Sequence, residues 1–308
     1  MENKERGDFY KEVTNKIIAA LENNTRPWVQ PWNGGILPIP MRHNNRLYQG
    51  INTLILWQAA SDGGYNSPYW MTFKQAKLLG GNIKKGEKAA TIFYASSCTL
   101  GNNEEEEQKG RSGQNLVENQ EQNPIYKKFM KSYKVFNANQ IEGLGEKYYK
   151  VLSTENNTKE LEKLPRLEEF VTNTKANIKH GGIRAYYREE SDHIQMPEMK
   201  LFKNSNAYYS TLCHELTHWS GSKKRLNRNL GGKRFGDSGY AMEELVAELG
   251  AAFLCSLLGI NPDAREDHAP YIASWLKVLK SDKRAIFNAA SLAQSSSNYL
   301  LELNKTPK

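Results

Sequence analysis

Apolar residues recur every three to four positions in several long stretches of the chain, which predicts amphipathic helices. One stretch follows Asp8, a residue suited to cap a helix start, and has its apolar positions at Phe9, Val13, Ile17 and Leu21. Comparable patterns predict helices over 50–60, 72–79, 167–177, 207–220, 240–258, 270–279 and 281–301. Strand-like segments cover 89–99, 126–136, 183–188 and 193–196. Short strands ahead of a run of helices predict an α+β fold.

Two polar stretches interrupt this pattern. The range 101–124 contains Glu104 to Glu107 and many Gln, Asn and Gly residues, which predicts a flexible acidic insertion between two strands. The polar range 153–163 is the better linker and predicts a domain boundary near residue 158. We therefore expect a mixed α/β N-terminal domain over 1–157 and a mainly helical C-terminal domain over 158–308.

Charge indicates a polyanionic partner. The 308 residues include 42 Lys and Arg against 34 Asp and Glu, a net charge of +8. Between residues 26 and 100 the excess is larger, with eight basic residues against two acidic ones. Three scattered cysteines exclude a disulfide framework. The start shows no signal peptide, and the longest apolar run is too short to span a membrane, so we expect a cytoplasmic protein without a membrane partner.

The clearest chemical pattern is His214-Glu215-Leu216-Thr217-His218, which lies within a predicted helix. Histidines four positions apart share one helix face, so both imidazoles can bind one metal ion. The carboxylate of Glu215 can then reach a water molecule beside the metal and act as a general base. We assign His214 and His218 as metal ligands and Glu215 as the catalytic residue.

A third ligand is expected on the next helix, which carries Glu243, Glu244 and Glu248. Two histidines and one carboxylate, with water in the fourth position, form a catalytic zinc arrangement. The spacing of Glu244 and Glu248 lets one bind the metal while the other orients an imidazole. We favour Glu244 as the ligand and Glu248 as the orienting residue, although Glu243 and Glu248 stay open as ligands. The expected cofactor is Zn²⁺, with another divalent ion as the alternative.

The first half also combines basic side chains with aromatic rings, as surfaces that bind single-stranded DNA do. The candidate contacts are Trp28, Trp32, Arg46, Tyr48, Trp70 and Lys74. Trp28 and Trp32 flank prolines in a segment that cannot form a regular helix, so we expect both rings to be exposed. The alternative, in which these side chains belong to the core, stays open.

Longer blocks resemble known families. His214 to His218, followed by Glu244-x-x-x-Glu248, resembles the gluzincin branch of zinc metallopeptidases. The blocks 48–52, 70–76, 208–221 and 240–254 resemble the ArdC-type antirestriction proteins of conjugative plasmids. This resemblance implies an N-terminal single-stranded-DNA-binding domain, similar to that of plasmid TraC-type primases, and a C-terminal zincin-like metallopeptidase domain.

These observations predict an antirestriction protein that binds single-stranded DNA and protects incoming plasmid DNA from host nucleases. Its second domain is expected to act as a zinc metallopeptidase on a host protein. One alternative is a cytoplasmic zinc protease that the N-terminal domain directs to nucleoprotein substrates. Another is a binding protein with a structural metal, which Glu215 argues against because structural sites are usually closed by four protein ligands. The sequence offers no residue common to DNA binding and metal chemistry.

Overall fold

The computed structural model describes residues 8–29, 38–99, 126–150, 161, 163–231, 237–261 and 269–305. The helices are α1 (Phe9–Glu22), α2 (Ile51–Gly63), α3 (Phe73–Leu78), α4 (Pro165–Thr174), α5 (Ser205–Ser220), α6 (Ser238–Leu258), α7 (Ala269–Ser281) and α8 (Ala285–Glu302). The strands are β1 (Met41–Arg42), β2 (Tyr69–Met71), β3 (Asn82–Ile83), β4 (Ala90–Thr99), β5 (Tyr126–Asn137), β6 (Ile141–Glu142), β7 (Asn177–His180), β8 (Tyr186–Arg188) and β9 (His193–Met196). The predicted α+β class is confirmed. Trp32, the acidic insertion and the boundary near residue 158 lie outside the described residues.

Local sequence sets several of these boundaries. The side chain of Asp8 accepts a hydrogen bond from the backbone N–H of Lys11 and caps α1 as predicted. At α3, Thr72 and Gln75 exchange side-chain-to-backbone hydrogen bonds in a capping box. The end of α2 is Gly64, which takes a left-handed conformation with φ of 65°.

Within the described residues, three small sheets accompany the helices. The first has the strand order β1-β2-β5-β4, and its long antiparallel pair runs from Ala90 opposite Val135 to Thr99 opposite Tyr126. A second sheet joins β3 to β6, and a third has the order β7-β9-β8. The sequence pattern missed β7 because Ile178 is its one apolar residue and no alternation is visible. Parallel pairing with β9 holds this strand in place.

The largest hydrophobic core is built from both halves of the chain. Helices α1 and α2 contribute Ile17, Leu21, Leu54 and Trp57 to it. These side chains pack against apolar residues of α6, α7 and α8, among them Leu245, Leu249, Phe253, Trp275, Ile286 and Ala290. The two halves are therefore joined by continuous apolar packing, while the boundary near residue 158 stays a prediction. Among the described helices, none is long and apolar enough to cross a membrane.

The sheet that contains β8 and β9 is fastened to the end of α5 by Arg225. This guanidinium pairs with Asp192 in the turn between the two strands and lies 3.9 Å from the centre of the Trp219 ring. The hydrogen bond from Arg225 lowers the pKa of Asp192 to about 2. The contact fixes this sheet beside the helix that carries both histidines.

Helices α5 and α6 approach closely at Gly250. A Cβ atom at this position would lie 2.5 Å from Cγ2 and 2.8 Å from Oγ1 of Thr217, which is fully buried. Only a glycine fits without movement of Thr217 or of one helix. The sequence therefore sets the spacing of the two helices that carry the histidines and the glutamates.

We expect Gly250→Ala to lower the free energy of unfolding by about 1–3 kcal/mol through overpacking, although alanine favours a helix more than glycine does. The measurement is chemical denaturation of the variant and of Gly250→Ala combined with Thr217→Ala. The second substitution removes both atoms that clash and should recover part of the loss relative to Thr217→Ala alone. Equal losses in the two backgrounds would contradict this account of the helix spacing.

Candidate metal centre

Helix α5 presents two imidazoles to the interior of the protein. The helix begins after Asn204, whose side chain accepts a hydrogen bond from the backbone N–H of Ala207. One turn separates His214 from His218, and their ring centres are 4.8 Å apart. The residue between them that faces the core, Leu216, is fully buried and anchors this face of the helix. Both imidazoles are thereby held in a largely dry environment.

Glu244 on α6 completes a set of three converging ligand atoms. The Nε2 atoms of His214 and His218 lie 3.1 Å apart. The carboxylate of Glu244 places Oε2 3.5 Å from Nε2 of His214 and Oε1 3.6 Å from Nε2 of His218. Ligand atoms about 2.0–2.1 Å from one ion at tetrahedral angles are about 3.3–3.4 Å apart. The three separations fit one metal ion, with a fourth position left for water or substrate.

The charge states of His218 and Glu244 favour metal binding. Burial opposes ionisation of Glu244, but the neighbouring His218 and His214 outweigh it and lower the pKa of Glu244 to about 2. Burial likewise opposes the charged form of His218, but Glu244 and Glu243 together raise the pKa of His218 to about 9. The carboxylate is therefore ionised at neutral pH, and a metal ion would displace a proton from the imidazole.

Glu243 lies behind His218 and does not face the ligand atoms. Its Oε1 is 3.0 Å from Nδ1 of His218, and its Oε2 accepts a hydrogen bond of 2.7 Å from Nε of Arg228. Arg228 is 2% exposed and also donates to the carbonyl of Thr217 and the hydroxyl of Ser296. Both oxygens of Glu243 are thus occupied, and the residue orients His218 through the nitrogen remote from the metal. The sequence did not distinguish this role from that of a ligand.

Glu248 lies behind the other histidine. Its Oε2 is 4.0 Å from Nδ1 of His214, and its Oε1 accepts hydrogen bonds from Arg26 at 3.0 Å and from Trp28 at 3.1 Å. Nδ1 of His214 is buried and has no hydrogen-bond partner among the described residues. When Nε2 binds a metal, Nδ1 carries a proton, and Glu248 is the acceptor that faces it. Two residues of the first half therefore hold a carboxylate of the metal centre.

The centre opens into a cleft of about 1200 Å³. Glu215, which is 3% exposed, lines this cleft together with both histidines and Glu244. Other lining residues come from β8, the end of α5 and the start of α6, including Tyr186, Tyr187, Ser222 and Tyr240. The structure thus brings together all five residues that the sequence assigned to the metal chemistry, counting Glu248 behind His214. The open side of the site is where a substrate could approach.

Three of the predicted DNA contacts are core residues. Trp28 is 1% exposed and packs beside Trp275, so the expected exposure of this ring is wrong. A proline-rich segment excludes a helix but does not exclude burial, and here the indole N–H finds Glu248. Tyr48 and Trp70 are 5% and 2% exposed and share a core with α2. None of these three rings offers a free face for a base to stack on.

The other predicted contacts are placed differently. Arg46 and Lys74 are exposed, on the loop after β1 and on α3, and both are accessible to DNA phosphates. Trp32 lies outside the described residues. The basic side chains therefore remain candidates, while the aromatic part of a DNA surface must be sought elsewhere.

Two family models match the chain. Residues 7–136 match the N-terminal domain of anti-restriction factor ArdC, and residues 165–292 match a zincin-like metallopeptidase domain. The metal-free crystal structure of the antirestriction protein ArdC from plasmid R388 is 40% identical, with a TM-score of 0.79 over 97% of this chain and 100% of that chain. The chain belongs to the ArdC-type antirestriction family. The resemblance seen in the sequence blocks is confirmed.

Other relatives of this ArdC-type chain bear on the metal and on DNA. The Mn(II)-bound structure of ArdC from plasmid R388 is 38% identical, with a TM-score of 0.76 over 98% of this chain and 100% of that chain. With the zincin-like domain, it supports a divalent metal at the centre described above. An uncharacterized protein of Sinorhizobium fredii is 38% identical over 95% of this chain and 91% of its own length. DNA primase TraC of Escherichia coli is 35% identical over 95% of this chain, which corresponds to 20% of the primase.

Replacing His214 and His218 together by alanine is expected to abolish metal binding, because two of the three converging ligand atoms are lost. The measurement is elemental analysis of the purified protein after dialysis. The matched control is His180→Ala, which changes an exposed histidine of the same half that bonds to Tyr208. Equal metal content in the double variant and the control would refute this ligand set.

Trp28→Phe is expected to weaken metal affinity by up to about tenfold, because it removes one donor that holds Glu248 and leaves most of the ring volume in place. Chelator competition measures the affinity. Trp57→Phe is the matched control, since this equally buried indole donates to the carbonyl of Pro38 at 2.9 Å instead. Both variants should lose stability, and only Trp28→Phe should lose affinity. Similar affinities for the two variants would show that Trp28 does not support the metal centre.

Proposed function

We propose that this protein is an antirestriction factor that binds single-stranded DNA through its first half and carries a metal-dependent peptidase centre in its second. The observation that supports the peptidase part best is the convergence of His214, His218 and Glu244 beside Glu215 in an open cleft. Three protein ligands and an open position are typical of catalytic metal sites, whereas structural sites are usually closed by a fourth protein ligand.

We propose zinc as the metal in the cell. The donor set contains two imidazoles and one carboxylate, which suits zinc. Mn(II) occupies the ArdC relative, but for one set of ligands zinc binds more tightly than manganese. Elemental analysis of protein purified without added metal tests this choice, and manganese in place of zinc would overturn it.

Glu215 is the proposed general base. A divalent ion in this position would polarise a peptide carbonyl and acidify water. Glu215 accepts the proton of the attacking water and passes it to the departing amine, so that the peptide bond breaks without a covalent enzyme intermediate. The proposed substrate is a host protein that the cleft admits in an extended form.

The DNA-binding part of the proposal rests on family membership and on charge. The matched N-terminal domain is shared with ArdC, and TraC primase contains a related segment. Among the basic residues between residues 26 and 100, Arg26 is largely buried against Glu248, and the other seven are exposed. Seven exposed basic residues against two acidic ones favour phosphate contacts. In this proposal the protein acts in the cytoplasm, where it covers incoming single-stranded plasmid DNA before host nucleases reach it.

A second function, a protease directed to nucleoprotein by its first half, is favoured by one contact. Arg26 and Trp28 belong to the half that is proposed to bind DNA, yet both hold Glu248 behind a metal ligand. This contact ties the metal centre to the first half physically. The two functions differ in whether protection of DNA requires peptide cleavage.

Glu215→Gln separates the two functions. It leaves the three metal ligands in place, so metal content and affinity for single-stranded DNA are expected to stay at the wild-type level. Cleavage of casein, used as a general protein substrate, should slow by about 10²–10⁴-fold if wild type cleaves it, because the base is removed.

The deciding measurement is plasmid transfer into a restricting recipient that expresses either protein. The proposed function predicts equal protection by wild type and Glu215→Gln. Loss of protection with unchanged DNA binding would establish the protease as the function. Loss of both would show that the two halves act as one unit.

A further inference from the structure

The exposed aromatic rings of the first half are not the ones that the sequence suggested. Of the aromatic side chains that the structure describes in this half, three are more than a third exposed: Phe73 at 52%, Tyr94 at 52% and Tyr133 at 43%. Base stacking needs a ring face open to solvent. These three rings are therefore the side chains in the described part of the first half on which an unpaired base could stack.

Tyr94 and Tyr133 lie on one face of the β4–β5 ribbon. Tyr133 is directly opposite Ile92, and Tyr94 is directly opposite Lys131. Alternate residues of a strand point to the same face, so Tyr94 shares a face with Ile92 and therefore with Tyr133 and Lys131. Diagonal neighbours of this kind are about 7–8 Å apart, which is within reach of one nucleic-acid strand. The face presents two rings with a lysine beside them.

This part of the ribbon lies at the margin of the core. Four successive residues of β5, from Lys131 to Lys134, are exposed, whereas Val135 is 1% exposed. On β4, the residues opposite Tyr133 and Ser132 are Ile92 and Phe93, and both are 8% exposed. Packing therefore covers the β4 side of this stretch, while the β5 side chains stay open to solvent. Tyr94 and Tyr133 nevertheless stay 52% and 43% exposed at this margin.

The ribbon is also strongly basic. Strand β5 contains Lys127, Lys128, Lys131 and Lys134, and neither β4 nor β5 contains an acidic residue. Lys134 donates to the hydroxyl of Thr91 across the strands, so part of this charge is held at a fixed place. Rings that accept bases beside cations that accept phosphates are the combination that single-stranded nucleic acid requires.

Phe73 is the competing site. It is the one aromatic residue of α3, and Lys77 lies 5.8 Å from its ring centre. A single ring with a cation over it offers less stacking surface than two rings on one face. The β4–β5 ribbon is therefore the better candidate for DNA binding. Phe73, which is as exposed as Tyr94, provides a matched control.

We propose that the face of the β4–β5 ribbon formed by Tyr94, Lys131 and Tyr133 is the surface on which single-stranded DNA binds. This inference rests on the proposed function, because it names the site of a DNA-binding activity that is itself proposed. Bases stack on the two tyrosine rings, and the lysine contacts the phosphate backbone. A duplex has no unpaired bases and gains only the phosphate contacts.

The test uses the full chain and a fluorescent oligothymidylate, with affinity measured by anisotropy. Tyr94→Ala and Tyr133→Ala should each weaken binding at least about fivefold, as expected for loss of one stacked base. Tyr94→Phe and Tyr133→Phe keep the rings and should bind like wild type. Phe73→Ala, the control, should also bind like wild type. Affinity for a duplex of the same length should be unaffected by the tyrosine substitutions.

Two further measurements test the same surface without the alanine variants of Tyr94 and Tyr133. Lys131→Gln should reduce the slope of log affinity against log salt by about 0.7, the value for one phosphate contact on a single strand. Photo-crosslinking of wild type to a bromouracil oligonucleotide should label Tyr94 or Tyr133.

The outcomes distinguish failure of the proposed function from failure of the proposed binding surface. Wild type that does not bind the oligonucleotide would overturn the proposed function. Wild type that binds, with unchanged affinity in both alanine variants or crosslinks confined to other residues, would overturn the ribbon as the site and leave the proposed function standing.

Discussion

Four carboxylates gathered at one place, three of them buried and Glu243 partly buried, constrain the second half of this structure and part of the first. Glu215, Glu244 and Glu248 are at most 9% exposed, and Glu243 is held between His218 and Arg228. An unpaired buried charge costs several kcal/mol, so each carboxylate needs a partner of opposite charge or several hydrogen bonds. The partners come from distant parts of the chain. Two of these carboxylates on α6, Glu248 and Glu243, are stabilised by arginines from other segments.

The two arginines that pair with these carboxylates connect the metal centre to the rest of the molecule. Arg228 comes from the loop after α5 and binds Glu243, while Arg26 comes from the segment after α1 and binds Glu248. Removing one partner of a buried ion pair typically costs about 3–5 kcal/mol, more than most apolar contacts provide. The expectation that DNA binding and metal chemistry share no residue thus needs refinement. Arg26 and Trp28 belong by sequence to the first half and by contact to the metal centre.

Much of this could be predicted from sequence where the signal is local. The spacing of His214 and His218, the cap at Asp8 and the long helices are set within a few residues, and the structure places them as expected. Contacts between distant segments leave no such signal. The partners of Glu248 are 222 and 220 residues away, and no periodicity relates them. The predicted exposure of Trp28 was wrong for the same reason. The side chains that contact this ring, Glu248 and Trp275, belong to α6 and α7.

The choice among the three glutamates of α6 shows how helix geometry and partner charge act together. Glu244 and Glu248 share one face because they are one turn apart, yet only Glu244 is level with the Nε2 atoms. Glu243 is rotated away by one residue and meets Arg228, so both of its oxygens are occupied before a metal arrives. Helix position selects the face, and the arginines determine which carboxylates remain free.

The charge balance that results suits a divalent ion. The four carboxylates carry four negative charges, and Arg26 and Arg228 cancel two of them. Once a metal ion has displaced the proton of His218, Glu215 and Glu244 are the two carboxylates without an arginine partner, and both face the same cleft. A divalent cation matches the charge of these two carboxylates. Because protein cations already hold the outer carboxylates, the helices can be arranged before the metal binds. The metal then completes a site whose geometry the fold has set.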